Sequence, residues 1–322
     1  MRALLLSLVF ATACVDADAP VHPGDDAVIE ITVPEGASGR SLTPLLIEQG
    51  LVPGEWSWRW VLRSSDASCI KAGRFAVKRS MSMHALLDTL CGPPLPEDVP
   101  FTVVEGWRID DIDRALTDAH LITAGQYAEL AKTKAVTAPF AIPTATLEGY
   151  LYPETYRVEP KKFVVKAFIE RQLAMFQERF GASYAPGADG RPLSDIVIMA
   201  SMIEREEPSP DNRPVVAGIL WKRIDHAWNL GVDATSRYTL PDWNNRDAFM
   251  LKLRDPNDPY NSRLRPGLPP TAIGNPGAGA LNAAAHPVES EWWYYLHDGQ
   301  GHFHGAKDVT GHEANRREFN VY

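Results

Sequence analysis

The stretch "IMASMIEREEP", residues 198–208, ends an apolar run in Glu204, Arg205, Glu206, Glu207 and Pro208. A carboxyl group set against apolar surface can act as a general acid, because burial and nearby negative charge both favour its protonated form. A helix over about 196–206 places Val197, Ala200, Ser201 and Glu204 on one stripe, since residues three and four apart share a face. The small side chains of Ala200 and Ser201 leave space beside the Glu204 carboxyl. Pro208 disfavours helix at the residue before it, so Glu204 also falls near the electronegative end of the helix. Glu206 on the far side and Glu207 would add to a field that opposes ionisation. The expectation is a Glu204 that holds a proton near neutral pH, with the other two glutamates as its environment. The same letters also describe a solvated charge cluster at a fraying end.

The elements that must position this helix are readable around it. Residues 163–183 have the pattern of a long amphipathic helix stopped by Gly181, and after the loop "YAPGADGRPLS" Ser194 or Asp195 is a suitable N-cap for the helix carrying Glu204. From about residue 209 the chain is rich in proline and loops, with extended structure returning in "WWYYLHD" and, more weakly marked, in "GHFHG". Upstream, "VIEITV" alternates with period two as a half-buried strand does. A helix in "SLTPLLIEQGLV", an extended "AGRFAV" and a helical "SMHALLDTLCG" complete a strand, helix, strand, helix unit. "FTVVEGWRIDDIDRAL" repeats the grammar of "IEITVPEGASGRSLTPLL", and "TLEGYLYPETYRV" reads as an ordered aromatic loop or hairpin. The expected class is α+β, a small αβ module followed by a mixed α/β domain. The boundaries expected are 1–14 signal segment, 15–27 linker, 28–98 module, 99–162 connecting αβ segment and 163–322 catalytic domain.

Composition narrows the partners. The 322 residues carry a net charge of −9 and a pI near 5.5, which argues against nucleic acid, because phosphate binding needs a basic surface. Arg2 is followed by the apolar "ALLLSLVFATA", too short for a span of about 20 residues but suited to a secretory signal core. The residues Ala11, Thr12, Ala13, Cys14 resemble a lipoprotein cleavage box, which makes Cys14 a lipid-bearing residue; an ordinary signal peptide is the alternative. In an exported chain Cys69 and Cys91 meet an oxidising compartment where a disulfide is available, although the sequence does not bring them together. In "GEWSWRW", Trp56 and Trp60 are four apart and read as a buried helical stripe rather than a sugar-stacking face. His302, His304 and His312 lack zinc spacing, so neither a metal site nor a cofactor is expected.

The segments "ASMIEREEP", "LGVDATSRY", "DPYNSRLRPGLPPTAIGNPGAGALNAAAHP" and "YYLHDGQGHFHGAKDVTGHEANRREF" occur in the order and spacing of the endolytic murein transglycosylases, the YceG-like family. "TLEGYLYPETY" resembles that family's Leu-Glu-Gly segment, and "VPEGASGRSLTPLLIEQGLV" resembles its LysM-like peptidoglycan-recognition unit. The similarity runs from about residue 28 to 318. It implies a membrane-attached enzyme of the bacterial cell envelope, on the periplasmic side. Such an enzyme cuts MurNAc-β-1,4-GlcNAc bonds inside peptidoglycan glycan strands and leaves 1,6-anhydro-MurNAc ends, in some settings beside peptidoglycan synthases. By position the family's catalytic glutamate falls on Glu204. Asp233, Tyr260 and Asn261 match the substrate-binding shell, with Ser201 beside the acid, Tyr238 next in line and Glu148 entering through the Leu-Glu-Gly segment. The chain departs from the pattern at Lys222 for Asn, Gly231 for Gln, Ala234 for Pro and Arg263 for an aromatic residue. Loss of the Gln at 231 leaves open a second reading, a catalytically weak peptidoglycan-binding lipoprotein that acts as a scaffold in wall synthesis.

Overall fold

A computed structural model describes residues 19–187 and 189–321, and the Cys14 anchor lies outside the described residues. The chain is a mixed α/β protein in which helices predominate, and the strands among the described residues form two-stranded antiparallel ribbons. It divides after Asp98 into two compact units.

In the first unit β1 (Val28–Val33) is followed by α1 (Thr43–Glu48), α2 (Glu55–Ser64), β2 (Gly73–Lys78) and α3 (Met83–Cys91). Strands β1 and β2 pair antiparallel from Val28↔Lys78 to Val33↔Gly73. The alternation of "VIEITV" turns Ile31 and Val33 inward beside Phe75 and Val77, onto Leu46, Trp58, Val61, Leu86 and Leu90. A disulfide joins Cys69 to Cys91 across 22 residues of sequence.

The tryptophans of α2 differ from expectation. Trp58 is the buried one, its indole N–H donating to the Gly39 carbonyl at 2.8 Å. Trp56 and Trp60 are 79% and 54% exposed. At about 100° per residue Trp58 lies opposite the other two, and with Val61 it fills the core-facing side of the helix. The shared face of Trp56 and Trp60 therefore turns outward.

The second unit runs β3 (Val99–Thr102), α4 (Ile109–Asp118), α5 (Gln126–Thr133), β4 (Thr155–Val158), α6 (Val165–Phe176), α7 (Leu193–Glu206), α8 (Arg213–Asp225), α9 (Asp233–Arg237), α10 (Arg246–Lys252), α11 (Ala278–Ala285), β5 (Tyr294–His297), β6 (Phe303–Ala306) and α12 (Val309–Glu318). Strands β3 and β4 pair antiparallel, as do β5 and β6. Helix α7 begins at Leu193 with Pro192 at its N-cap, so Asp195 lies in the first turn instead of capping it. Every residue of α7 from Ile196 to Ile203 is buried. A helix apolar on all sides is a core helix. It packs on α8 and on α11, whose "AGALNAAA" offers small side chains and close approach. Gly149 adds a tight point: its φ is +94°, and a Cβ there would stand 2.5 Å from Val197 and 2.6 Å from Ala272.

Candidate active site

The three glutamates that end α7 point in different directions, because successive residues turn by about 100° and the helix stops at once. Glu204 stays with the packed side and is 6% exposed. Its Oε1 accepts from Arg213 Nη2 at 2.6 Å and its Oε2 accepts from the Gly277 amide at 2.9 Å. Arg213 opens α8 and Gly277 is the N-cap of α11, so Glu204 ties the end of α7 to the starts of both neighbours. The space expected beside Glu204 is filled by a guanidinium and an amide rather than left for a ligand. Glu207 is buried as well: Oε1 accepts from the Ser209 amide at 2.8 Å, and Oε2 lies 2.8 Å from His297 Nε2.

Glu206 takes the remaining direction. It is half-buried and borders an open cleft of about 700 Å³ lined also by Arg223, Trp228, Gly231, Asp233, Arg263 and Tyr294. The Tyr295 hydroxyl donates to Glu206 Oε2 at 3.0 Å. Burial pushes the Glu206 carboxyl above the ordinary carboxylate range, opposed by the Tyr295 hydrogen bond, reinforced by the charge of Asp233 and opposed again by His297. Burial, with the adjacent Glu206 charge, also drives the Tyr295 phenol well above its usual range, so Tyr295 remains a hydrogen-bond donor. One side of the cleft is aromatic. Trp228 lies 4.9 Å from Trp293 and 5.6 Å from Tyr294, and Tyr294 stacks on His312 at 5.2 Å. Opposing dipoles and π faces of this kind suit a neutral ring bearing hydroxyl groups. Arg223 braces that side, donating to the Leu230 carbonyl and twice to the Trp293 carbonyl at 3.0 and 2.6 Å.

With this geometry the chain can be set beside known proteins. The sequence model of the YceG-like family matches residues 31–318. The chain belongs to the YceG-like family. It is similar to an endolytic murein transglycosylase of Bacillus subtilis (strain 168), 23% identical over 93% of this chain and 87% of that protein. A second endolytic murein transglycosylase, from Streptococcus pneumoniae serotype 2 (strain D39), is 22% identical over 93% of this chain but only 60% of its own length. The crystal structure of a YceG-like protein from Listeria monocytogenes superposes with a TM-score of 0.56 at 20% identity, covering 90% of this chain and 99% of that one. That likeness is one of fold.

Against this YceG-like frame the expected site residues separate. Asp233 does border the cleft, at the start of α9, and its Oδ1 accepts from Arg263 Nε at 2.7 Å and pairs with Nη2 at 2.6 Å. Arg263, a departure from the family pattern, thus neutralises Asp233. Gly231, another departure, sits at φ +67°, where a side chain would strain the backbone; its nearest neighbour would be Arg223 Nη1 at 3.8 Å.

The other five are elsewhere. Ser201 is buried and bridges, donating to the Ile198 carbonyl at 2.7 Å and accepting from the Ile273 amide at 3.0 Å. Asn261 is buried and donates to the carbonyls of Lys252, Leu253 and Asp255 at 3.0–3.2 Å, which closes the end of α10. Glu148 is buried beneath the start of α4. Both its oxygens accept from the Ile109 amide at 3.1 Å, Asn275 Nδ2 donates to Oε1 at 3.0 Å, and the Tyr238 hydroxyl donates to Oε2 at 3.1 Å. Burial outweighs these donors and pushes Glu148 up to about 8. Tyr238 lies 4.8 Å from the Tyr260 ring, and the Tyr260 hydroxyl meets Thr271 Oγ1 at 2.8 Å. Tyr260 borders a separate cavity of about 170 Å³ among Pro259, Pro266, Pro269 and Pro270. Burial and satisfied hydrogen bonding hold Ser201, Asn261 and Glu148, while Tyr238 and Tyr260 are half-buried.

Glu206, given by the sequence only as surroundings of Glu204, and Tyr295, His297 and Trp228, not singled out there, are further residues on the cleft. A signal for the first was present. A stripe that is apolar all the way to Ile203 leads into the core, so the acid that can reach solvent is the one opposite it. The period-two rule would also have set Tyr295 and His297 on one face of β5.

Proposed function

We propose that this chain is a lytic transglycosylase of peptidoglycan glycan strands, with Glu206 as its acid and then its base. The observation that carries the reading is the half-buried Glu206 carboxyl on the cleft, held by Tyr295. The similar proteins are murein transglycosylases, which supports the substrate class. Glu206 gives its proton to the glycosidic oxygen as the bond from C1 of MurNAc to that oxygen breaks. The C6 hydroxyl of the same sugar then bonds to C1 and returns its proton to the Glu206 carboxylate, leaving a 1,6-anhydro end. Hydrolysis through water or a covalent intermediate generally employs two carboxyl groups. Here the other carboxylates on the cleft are engaged, Asp233 by Arg263 and Glu313 by Arg316. One free carboxyl fits the lytic route, in which the sugar supplies its own nucleophile. The aromatic side formed by Trp228 and Tyr294 would hold the sugar rings.

In this reading residues 28–98 form a LysM-like peptidoglycan-recognition module, 99–162 a connecting segment and 163–322 the catalytic part. The chain would be held at a membrane of the cell envelope through Cys14, near peptidoglycan synthases. Among the described residues no helix is long and apolar enough to cross a membrane. The open space at Gly231 favours a second reading, strand binding without cutting. Incubation of the full chain in detergent with uncrosslinked glycan strands, followed by mass spectrometry, separates the two. Anhydro-MurNAc ends support the enzyme; ordinary reducing ends contradict the lytic route; binding without new ends supports the scaffold.

A further inference from the structure

Two acid–donor pairs stand side by side where α7 ends against β5. Glu206 accepts from Tyr295, and Glu207 pairs with His297. Tyr295 and His297 share a face of β5, their rings 6.1 Å apart. The His297 side chain is 23% exposed and borders the same cleft as Glu206, whereas the Glu207 carboxyl is wholly buried. The mechanism proposed above uses only the first pair.

The second pair has the form of an oriented base. A buried carboxylate that accepts from one ring nitrogen fixes the imidazole plane and its tautomer, and stabilises the charge formed when the other nitrogen takes a proton. Glu207 Oε1 is occupied by the Ser209 amide, so Oε2 is the oxygen left for the ring. With the carboxylate as acceptor, Nε2 carries the hydrogen and Nδ1 keeps its lone pair. Among the described residues Nδ1 has no hydrogen-bond partner, and the Phe303 ring packs edge-on at 6.0 Å without competing for it. The remaining charged groups on the cleft are Arg223, Asp233, Arg263, His312, Glu313 and Arg316. Asp233 is paired with Arg263, Glu313 with Arg316, and the His312 ring stacks on Tyr294, so His297 is the imidazole oriented by a carboxylate beside the Glu206–Tyr295 pair.

We propose that His297, oriented by Glu207, is a second catalytic residue that accepts the C6-hydroxyl proton while Glu206 donates to the leaving oxygen. This rests on the lytic reading of the cleft and routes the C6 proton to Glu206 by way of His297 in place of the direct return given above. In the step, the C6 oxygen bonds to C1, its proton moves to His297 Nδ1, the bond from C1 to the glycosidic oxygen breaks, and that oxygen takes the Glu206 proton. The imidazolium then passes its proton through water to the Glu206 carboxylate, which restores both groups. Acid and base are thereby divided between two side chains, and Glu207 is a positioning residue.

The test is the pH profile of kcat/KM for formation of anhydro ends by the full chain, by His297→Gln and by Glu207→Gln, with Glu206→Gln as control. The wild type is expected to show an acid-side limb set by the proposed base. His297→Gln is expected to lose that limb and to be slower by about 10²-fold, the usual worth of a positioned base. Glu207→Gln is expected to alter the same limb. An unchanged limb and rate in His297→Gln would overturn the inference while leaving the lytic reading intact. Full activity in Glu206→Gln would overturn both. A readout free of turnover is the nitrogen-15 spectrum of the His297 ring near neutral pH. A protonated Nε2 with a bare Nδ1 is expected; a proton resting on Nδ1 contradicts the proposal.

Discussion

Glu204 and Glu206 stand two residues apart at the end of α7 and face opposite surroundings: Glu204 is closed in by Arg213 and the Gly277 amide, and Glu206 opens on the cleft beneath Tyr295. The first is a fastening between three helices. The second is the carboxyl a ligand can reach.

Glu204→Ala should therefore act on stability. Removing one member of a buried ion pair leaves Arg213 uncompensated and costs about 3–5 kcal/mol. Thermal melts should show a marked fall in Tm, while the protein that remains folded keeps its cleft. An unchanged melt would contradict the fastening role.

Tyr295→Phe should change chemistry more than stability. The hydroxyl favours the Glu206 carboxylate, so its loss raises the proton affinity of Glu206 further. Activity that needs protonated Glu206 should then persist to higher pH, with kcat/KM lower by roughly tenfold through the loss of one positioning hydrogen bond. An alkaline limb that moves to lower pH would contradict this.

Glu148 predicts a pH dependence of folding. Its folded value of about 8 lies above the ordinary carboxyl value of 4.5, so the folded state binds the extra proton between them. This contribution is complete below about 4.5 and is lost as pH rises to about 8, a change on the order of a few kcal/mol. Denaturant unfolding should show that decline in the wild type and a flatter profile in Glu148→Gln.

Reduction of the Cys69–Cys91 disulfide should loosen the first unit. A closed loop of this length contributes about 3 kcal/mol through the entropy of the unfolded chain. Equilibrium unfolding with and without reductant measures it, and equal midpoints would contradict the estimate.

The elements were largely legible because their patterns are local. The alternation of "VIEITV" specifies β1, and the uninterrupted apolar stretch before Glu204 specifies α7. The site was less legible because it depends on partners far along the chain. Arg213 and Gly277 fasten Glu204, Tyr295 holds Glu206 at the cleft, and Asn275 with Ile109 holds Glu148 in the core. Asn261 looked like a ligand contact by its motif and is consumed by three carbonyls of α10 and its exit. Residue type and spacing identify a polar group, but only tertiary neighbours decide whether its valences are free. Trp56 and Trp60 show the same limit in reverse, since one buried tryptophan between them was enough to turn both outward.

The most direct measurement compares Glu204→Gln and Glu206→Gln, each verified as folded, in the rate at which 1,6-anhydro-MurNAc ends appear from uncrosslinked glycan strands. Glu206→Gln is expected to abolish the product while Glu204→Gln still forms it. Product from Glu206→Gln at the wild-type rate, with none from folded Glu204→Gln, would contradict this.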